Sequence, residues 1–436
     1  MGQKRYVGAA QTVAQVTTIT VGGTAAINQV YTVLLGLNLA KTIAYTSSGV
    51  DTNTTIATAL FGLLTAANTP PEFQEIAWAN PSAGVITATS KTPGMPFGPA
   101  TIATMATSTG TGTLVAATTT ANGSPNDISN PANWDANAIP VGSDDVFLDG
   151  TGIDWLWGLD QHTVTLSSLT VSATFQQAAN GTGNGTVGLP EWNPNGYPEY
   201  RPTYLRYGVT TFNLGRGQGA GSNRFKIDFG TVQTAANIYL TGSGQDLGIS
   251  AVCLKGTHAS NVVNVYGGQV QIAGFGDEVA TVATLVVGPT NPASSDPQVR
   301  CGTGCTLTTI TMESGSLLLA STTTTITQKG GQLVIQDGIS SASAVTTLNA
   351  MGGQTDYQGS GTITNLNSLP SANGVGQVTF DSVNKGRTVT NCTITGGATV
   401  SDRFGSVTWT NGITFVGCTP AQATLRDKVT ITVTYN

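Results

Sequence analysis

Five carboxylates crowd one stretch of the chain: Asp144, Asp145, Asp149, Asp154 and Asp160. Paired acids can hydrolyse a glycosidic bond when the two carboxyl groups stand roughly 5–10 Å apart. On an extended strand Asp145 and Asp149 share a face at ~13 Å, given ~3.3 Å per residue, which is too wide for either geometry. The spacing fits no calcium loop, so these residues read as turn and cap groups. Cys301-Gly-Thr-Gly-Cys305 is the one close thiol pair among the five cysteines Cys253, Cys301, Cys305, Cys392 and Cys418. It lacks the second pair or neighbouring histidine of a zinc site, and an odd cysteine count argues against a disulfide framework. The two histidines, His162 and His258, have no cysteine or acidic cluster at ligand spacing. Gly215-Arg-Gly-Gln-Gly-Ala-Gly221 has the glycines of a phosphate loop without its strand-then-helix setting, and reads as a turn. No Walker lysine, Gly-x-Ser-x-Gly elbow or His-Glu-x-x-His occurs. No catalytic residue, metal or cofactor is expected.

The residues that stand out are aromatic. Between Gly188 and Tyr207, in a chain with only 7% aromatics, lie Trp192, Tyr197, Tyr200, Tyr204 and Tyr207, with Arg201 and Arg206 among them. Tyr, Trp and Arg bury large areas while keeping polar handles, so they favour protein contact surfaces. The same rings could stack on sugars, or the segment could fold back as an internal cover.

The elements that must position these groups follow from composition. Only 9% of the residues are charged and 39% are hydrophobic, against 55 glycines. Roughly one residue in six is Thr, whose branched Cβ suits a pleated sheet. That excludes a helical bundle and a disordered chain. Net charge is −6 without a basic stripe, so nucleic acid is not an expected partner. The N-terminus has no apolar stretch of a signal peptide, and residues 30–39 are too short and polar to span a bilayer. Folding in a cytoplasm, with no membrane contact, is expected.

Residues 1–110 read as a small α+β domain. Strands are expected over 13–21, 30–37, 41–46, 73–79 and 84–90, with one helix over about 52–67. The helix would present Ile56, Ala59, Leu60, Leu63, Leu64 and Ala67 on one face. Residues 106–123 read as a closing strand leading into a linker, set at 111–125. Residues 126–235 form β-rich entrance rungs carrying the long aromatic loop. Over 236–436 short strands recur behind glycines 244, 268, 315, 331, 353, 376 and 397, spaced 24, 47, 16, 22, 23 and 21. A period near 22 is one turn of a three-sided β-solenoid, a parallel β-helix-like stack. The step of 47 implies a rung without its glycine near Pro289 to Pro292. A β-sandwich is the competing architecture.

Two groups of segments carry a resemblance. Val16-Thr-Thr-Ile-Thr-Val-Gly-Gly-Thr24, Val30-Tyr-Thr-Val33, the 51–67 helix, Pro71-Glu-Phe-Gln-Glu-Ile76 and Val85–Phe97 resemble a small domain of tailed-bacteriophage and prophage structural proteins. Asn133-Trp134, Pro140, Asp144–Asp149 and Leu166–Val171 resemble the opening rung of bacterial β-helical surface and phage proteins. Together they cover about a third of the chain, and no catalytic residue transfers from them. The resemblance implies a non-enzymatic virion protein, assembled in the host cytoplasm, of head-fibre or capsid-decoration type. It implies a homotrimer whose further partners are the major capsid protein or other virion proteins. The alternatives are a tail fibre or a tailspike-type protein that binds or cleaves host surface glycan.

Overall fold

The computed structural model describes residues 2–35, 41–97, 104–105, 110–175, 186–187, 204–216, 224–239, 250–274, 278–288, 296–338, 341–372, 374–426 and 429–434. Its larger part is a β-solenoid. Alternation of buried and exposed positions makes short strands such as Ser316–Leu319 and Gln332–Ile335. Each strand pairs in parallel with the strand one coil later, so inward side chains stack in columns. One column runs Val287, Met312, Gln328, Ala350, Ser368 and Ile394. Where it turns polar, the interior stays satisfied. Fully buried Gln328 donates to the carbonyls of Gly331 and Gln354 and accepts from Thr355. Ser368 donates to Gly376 O at 3.1 Å. The large majority of buried polar groups in folded proteins are paired in this way.

The coil has three sides. A back face holds strands such as Gln269–Ile272, Ser316–Leu319 and Gln354–Tyr357. Longer strands such as Cys305–Met312, Val345–Ala350 and Thr362–Ser368 pair with the next coil on both sides of a bend. Their first residues form a short side face and their last residues a front face.

Glycines set the turn from front to back. Gly315, Gly331 and Gly353 all have φ between +72° and +80°, where side chains are disfavoured. They also stack: a Cβ on Gly353 would lie 2.3 Å from Gly331 O, and one on Gly331 2.4 Å from Gly315 O. The rung without a glycine is present later than expected, as Gln298–Cys301 entered through Pro297, whereas Pro289 and Pro292 lie outside the described residues. The step of 16 is a coil shortened at the back-to-side connection, where Ala320–Thr322 replaces a longer turn.

Three boundaries differ from the sequence expectation. Gln3–Arg5 pairs in parallel with Asp145–Leu148, so the N-terminus belongs to the first coil and not to the α+β unit. The unit is an insertion, its two ends joined by Val13 and Gly123 bonding to each other at 2.8 and 3.2 Å. Residues 111–125 are not a linker, because Thr113–Thr120 pairs antiparallel with Val16–Gly22 inside the unit. No break falls at residue 235, since Leu205–Arg216 already pairs with Ala235–Ile238 in the same ladder.

Inside the unit the helix spans Asn53–Leu64. Thr52 caps it, accepting from Thr55 N at 3.2 Å. At its C-terminal end the hydroxyls of Thr65 and Thr69 donate to the carbonyls of Phe61 and Leu63 at 2.8 and 3.0 Å. Its buried face is Ile56, Ala57, Leu60 and Leu64, packed on Ile19, Val33 and Ile86, while Leu63 is exposed. A short helix, Pro71–Gln74, occupies the expected start of the strand at Phe73, with Pro71 at a first-turn position that needs no N–H donor. The strand follows as Ile76–Ser82.

An aromatic plug closes the first coil. Tyr6 meets Trp134 and Trp155 edge-on, each with ring centroids at 5.1 Å, and all three side chains are buried. A capped end cannot template strand addition by another chain.

Candidate interaction surfaces

Four of the five crowded carboxylates, Asp144, Asp145, Asp149 and Asp160, hold the entrance together. Asp144 accepts from Gly2 N at 2.8 Å and Val141 N at 3.1 Å. Asp145 accepts from Ser168 Oγ, and Asp149 pairs with Arg5. Asp160 takes both His162 at 2.7 Å and Arg206 at 2.8 Å. His258 Nδ1 accepts from Ser260 N. All five cysteines are buried. Cys305 beside it and burial push the Cys301 thiol well up, and burial pushes Cys392 up to about 12, so neither is a ready nucleophile. Among the described residues no group of His, Cys, Asp or Glu could hold a metal ion, and no helix is long and apolar enough to cross a membrane.

Of the aromatic patch, Trp192, Tyr197, Tyr200 and Arg201 lie outside the described residues. The rest does not form an outward platform. Tyr207 is 2% exposed and belongs to the solenoid core. Tyr204 is 8% exposed, its hydroxyl donating to Glu278 and its ring covered by Lys255 Nζ at 4.3 Å. Arg206 is held by Asp160 at the entrance. Strand alternation explains the outcome, because Leu205–Arg216 must send residues such as Tyr207 and Val209 inward to fill the coil.

A second repeat builds the outer surface. Inward residues at the bend stand three apart, not two, with two outward residues between them. The pattern reads Leu307-Thr-Thr-Ile310, Val345-Thr-Thr-Leu348, Ile363-Thr-Asn-Leu366 and Val389-Thr-Asn-Cys392. The first outward residue of each pair forms the corner, a column of Thr308, Thr324, Thr346, Thr364, Thr390 and Thr410. The second begins the front face, which carries Thr309, Thr325, Thr347, Asn365 and Asn391 in register. Asparagine ladders run up this face. Asn391 donates to Asn365 at 2.9 Å and Asn411 to Asn391 at 2.7 Å, and Asn264 donates to Asn237 at 2.9 Å.

Charge is segregated from these sides. Among the described residues, no front- or side-face strand from Ala235–Ile238 to Ile431–Thr434 turns a charged side chain outward. Lys226, Arg300 and Asp356 lie instead in one register row of the back face. Glu313 and Lys329 pair at 2.7 Å at the turn after the front face. Beside the charged row, Gln269, Gln298, Ser316, Gln332, Gln354 and Gln377 form a second column. The short Ser316 interrupts it and leaves a recess of about 210 Å³, bordered by Gln298, Arg300 and Gln332.

The turn from back to side face is a polar seam spanning three coils. Asp337 accepts from Ser343 N at 3.1 Å, from Ser360 N at 2.8 Å and from Lys385. Partial burial opposes its ionisation, but Lys385 and these amides outweigh it and hold the carboxyl at about 2. A carboxylate depressed below its unfolded value of about 3.9 stabilises the fold above that pH and loses the contribution as pH falls toward 2. Asp337→Asn should therefore show a shallower loss of thermal stability between about pH 4 and pH 2 than the parent. Equal slopes would remove the clamp from the account.

Comparison with known proteins finds no matching family model, no matching curated protein and no matching solved structure.

Proposed function

We propose that this chain is a non-enzymatic structural protein of a tailed-phage virion, a homo-oligomer that decorates the capsid surface. The observation that carries this reading is the absence, among the described residues, of outward charge from the front face over roughly ten coils, ~45 Å at ~4.8 Å per coil, and from the adjoining side face over about seven. A stiff stack with an uncharged flank suits dense, symmetric packing, in which repeated charges would repel. The carboxylates that could have served a hydrolase are engaged in caps and ion pairs at the entrance. Under this reading the inserted α+β unit is the part that anchors on the major capsid protein. The virion assignment itself comes from the resemblance of residues 16–97 and 133–171 to phage structural proteins.

The test is binding to emptied heads. Purified chain should bind DNA-free phage heads saturably and release no oligosaccharide from host capsular polysaccharide. Oligosaccharide release would replace the proposal with a depolymerase.

A receptor-binding fibre is the second reading, favoured by the back-face recess, since amides and a guanidinium are suitable donors to sugar hydroxyls. It predicts saturable binding to host cells that Arg300→Ala weakens.

A further inference from the structure

We infer that the threonine corner is the self-association surface of this protein, packed along a three-fold axis of its own copies. The inference rests on the homo-oligomer in the proposed function and assigns the surface that forms it.

The corner separates two faces that are both free of outward charge among the described residues. A two-fold dimer meets through one patch shared by both copies and would leave the second uncharged face unexplained. A three-fold ring is built from heterologous contacts, which require two different patches on every copy. With Thr324, Thr346 and Thr364 toward the axis, the front face of one copy meets the side face of the next. Identical residues at the axis face one another at a few ångström. A charge there would confront two copies of itself, and the column carries hydroxyls instead.

At ~4.8 Å per coil and ~3.3 Å per residue, the front face offers about 550 Å² and the side face about 300 Å². One front-to-side contact therefore covers about 300 Å² on each partner, well under the ~800 Å² per partner of a two-body interface. Ring closure, in which each copy makes two such contacts, is what holds the assembly together. The faces are also rigid in advance. The ladder of Asn365, Asn391 and Asn411 fixes side-chain amides along the stack, so less ordering entropy opposes association.

The experiment compares the full chain with two double variants by light scattering coupled to size exclusion. Thr309→Lys with Thr347→Lys places two charges on the front face, two coils apart so that they do not stack directly. Gln298→Lys with Gln332→Lys places the same charge on the back face. The parent and the back-face variant should have three times the chain mass, and the front-face variant should be a monomer with unchanged circular dichroism. A monomeric parent would overturn the homo-oligomer as well as the surface. A trimeric front-face variant would overturn the surface alone, and a dimeric parent would overturn the two-face arrangement. As a check independent of folding effects, Thr346→Cys should be cross-linked between copies by a bismaleimide, since the native cysteines are buried. Absence of covalent oligomers on a denaturing gel would also overturn the corner assignment.

Discussion

Replacing Arg387 with alanine is expected to destabilise the last coils by about 3 kcal/mol or more. The side chain is 4% exposed, at the start of Arg387–Thr395, and turns into the seam between back and side faces. Its guanidinium donates to Lys385 O at 2.7 Å and to the carbonyls of Val383 and Tyr357. It also lies 5.7 Å from the centre of the Phe380 ring. Truncation orphans the buried Tyr357 carbonyl, at ~1–3 kcal/mol, and removes two further charge-assisted hydrogen bonds to part-buried carbonyls. Arg387→Lys should recover little of the loss, because an ammonium cannot reproduce a planar fork that reaches several carbonyls. A repeat stack need not unfold in one step. The decisive reading is therefore local hydrogen exchange in peptides covering 377–409, together with the thermal midpoint. Protection equal to the parent in those peptides would contradict the assignment.

Gly353→Val should have an effect of similar size for a different reason. The residue sits at φ +72°, which costs a non-glycine residue ~1–2 kcal/mol by itself. The new Cβ would also lie 2.3 Å from Gly331 O, a backbone atom of the neighbouring coil that cannot rotate away. The coils must part locally, and the loss should exceed the conformational term. Gly230 supplies the control: its φ is +60°, but a Cβ there meets nothing within 4 Å. Gly230→Asn should cost only a few tenths of a kcal/mol, since Asn tolerates this conformation. Similar thermal midpoints for the two variants would mean that the glycine column is not stacked as described.

These glycines also show why much of the solenoid is legible in the sequence. A left-handed turn residue and strand alternation are local requirements, so Gly315, Gly331 and Gly353 appear at regular spacing with apolar residues beyond each. The corner lies in the spacing of three between Val345 and Leu348 or Ile363 and Leu366, a period that neither the glycine repeat nor simple strand alternation announces. Other features depend on distant partners. Gln3–Arg5 is too short to announce itself, and its neighbour lies at Asp145–Leu148 across the whole inserted unit. Thr113–Thr120 is the closing strand expected within 106–123, but its Thr- and Ala-rich composition does not mark where it ends, and only pairing with Val16–Gly22 carries it through residues set as linker. The aromatic patch illustrates the same limit. Residue type marks Tyr204 and Tyr207 as contact-formers, but which surface they contact depends on alternation within Leu205–Arg216 and on Lys255 two coils away.

That the chain is a passive, repeated component of a virion surface is tested most directly by immunogold imaging of phage particles from the source culture. The expected image has gold at many symmetry-related positions on the head. Gold confined to the tail tip, or particles that carry no copies, would contradict it.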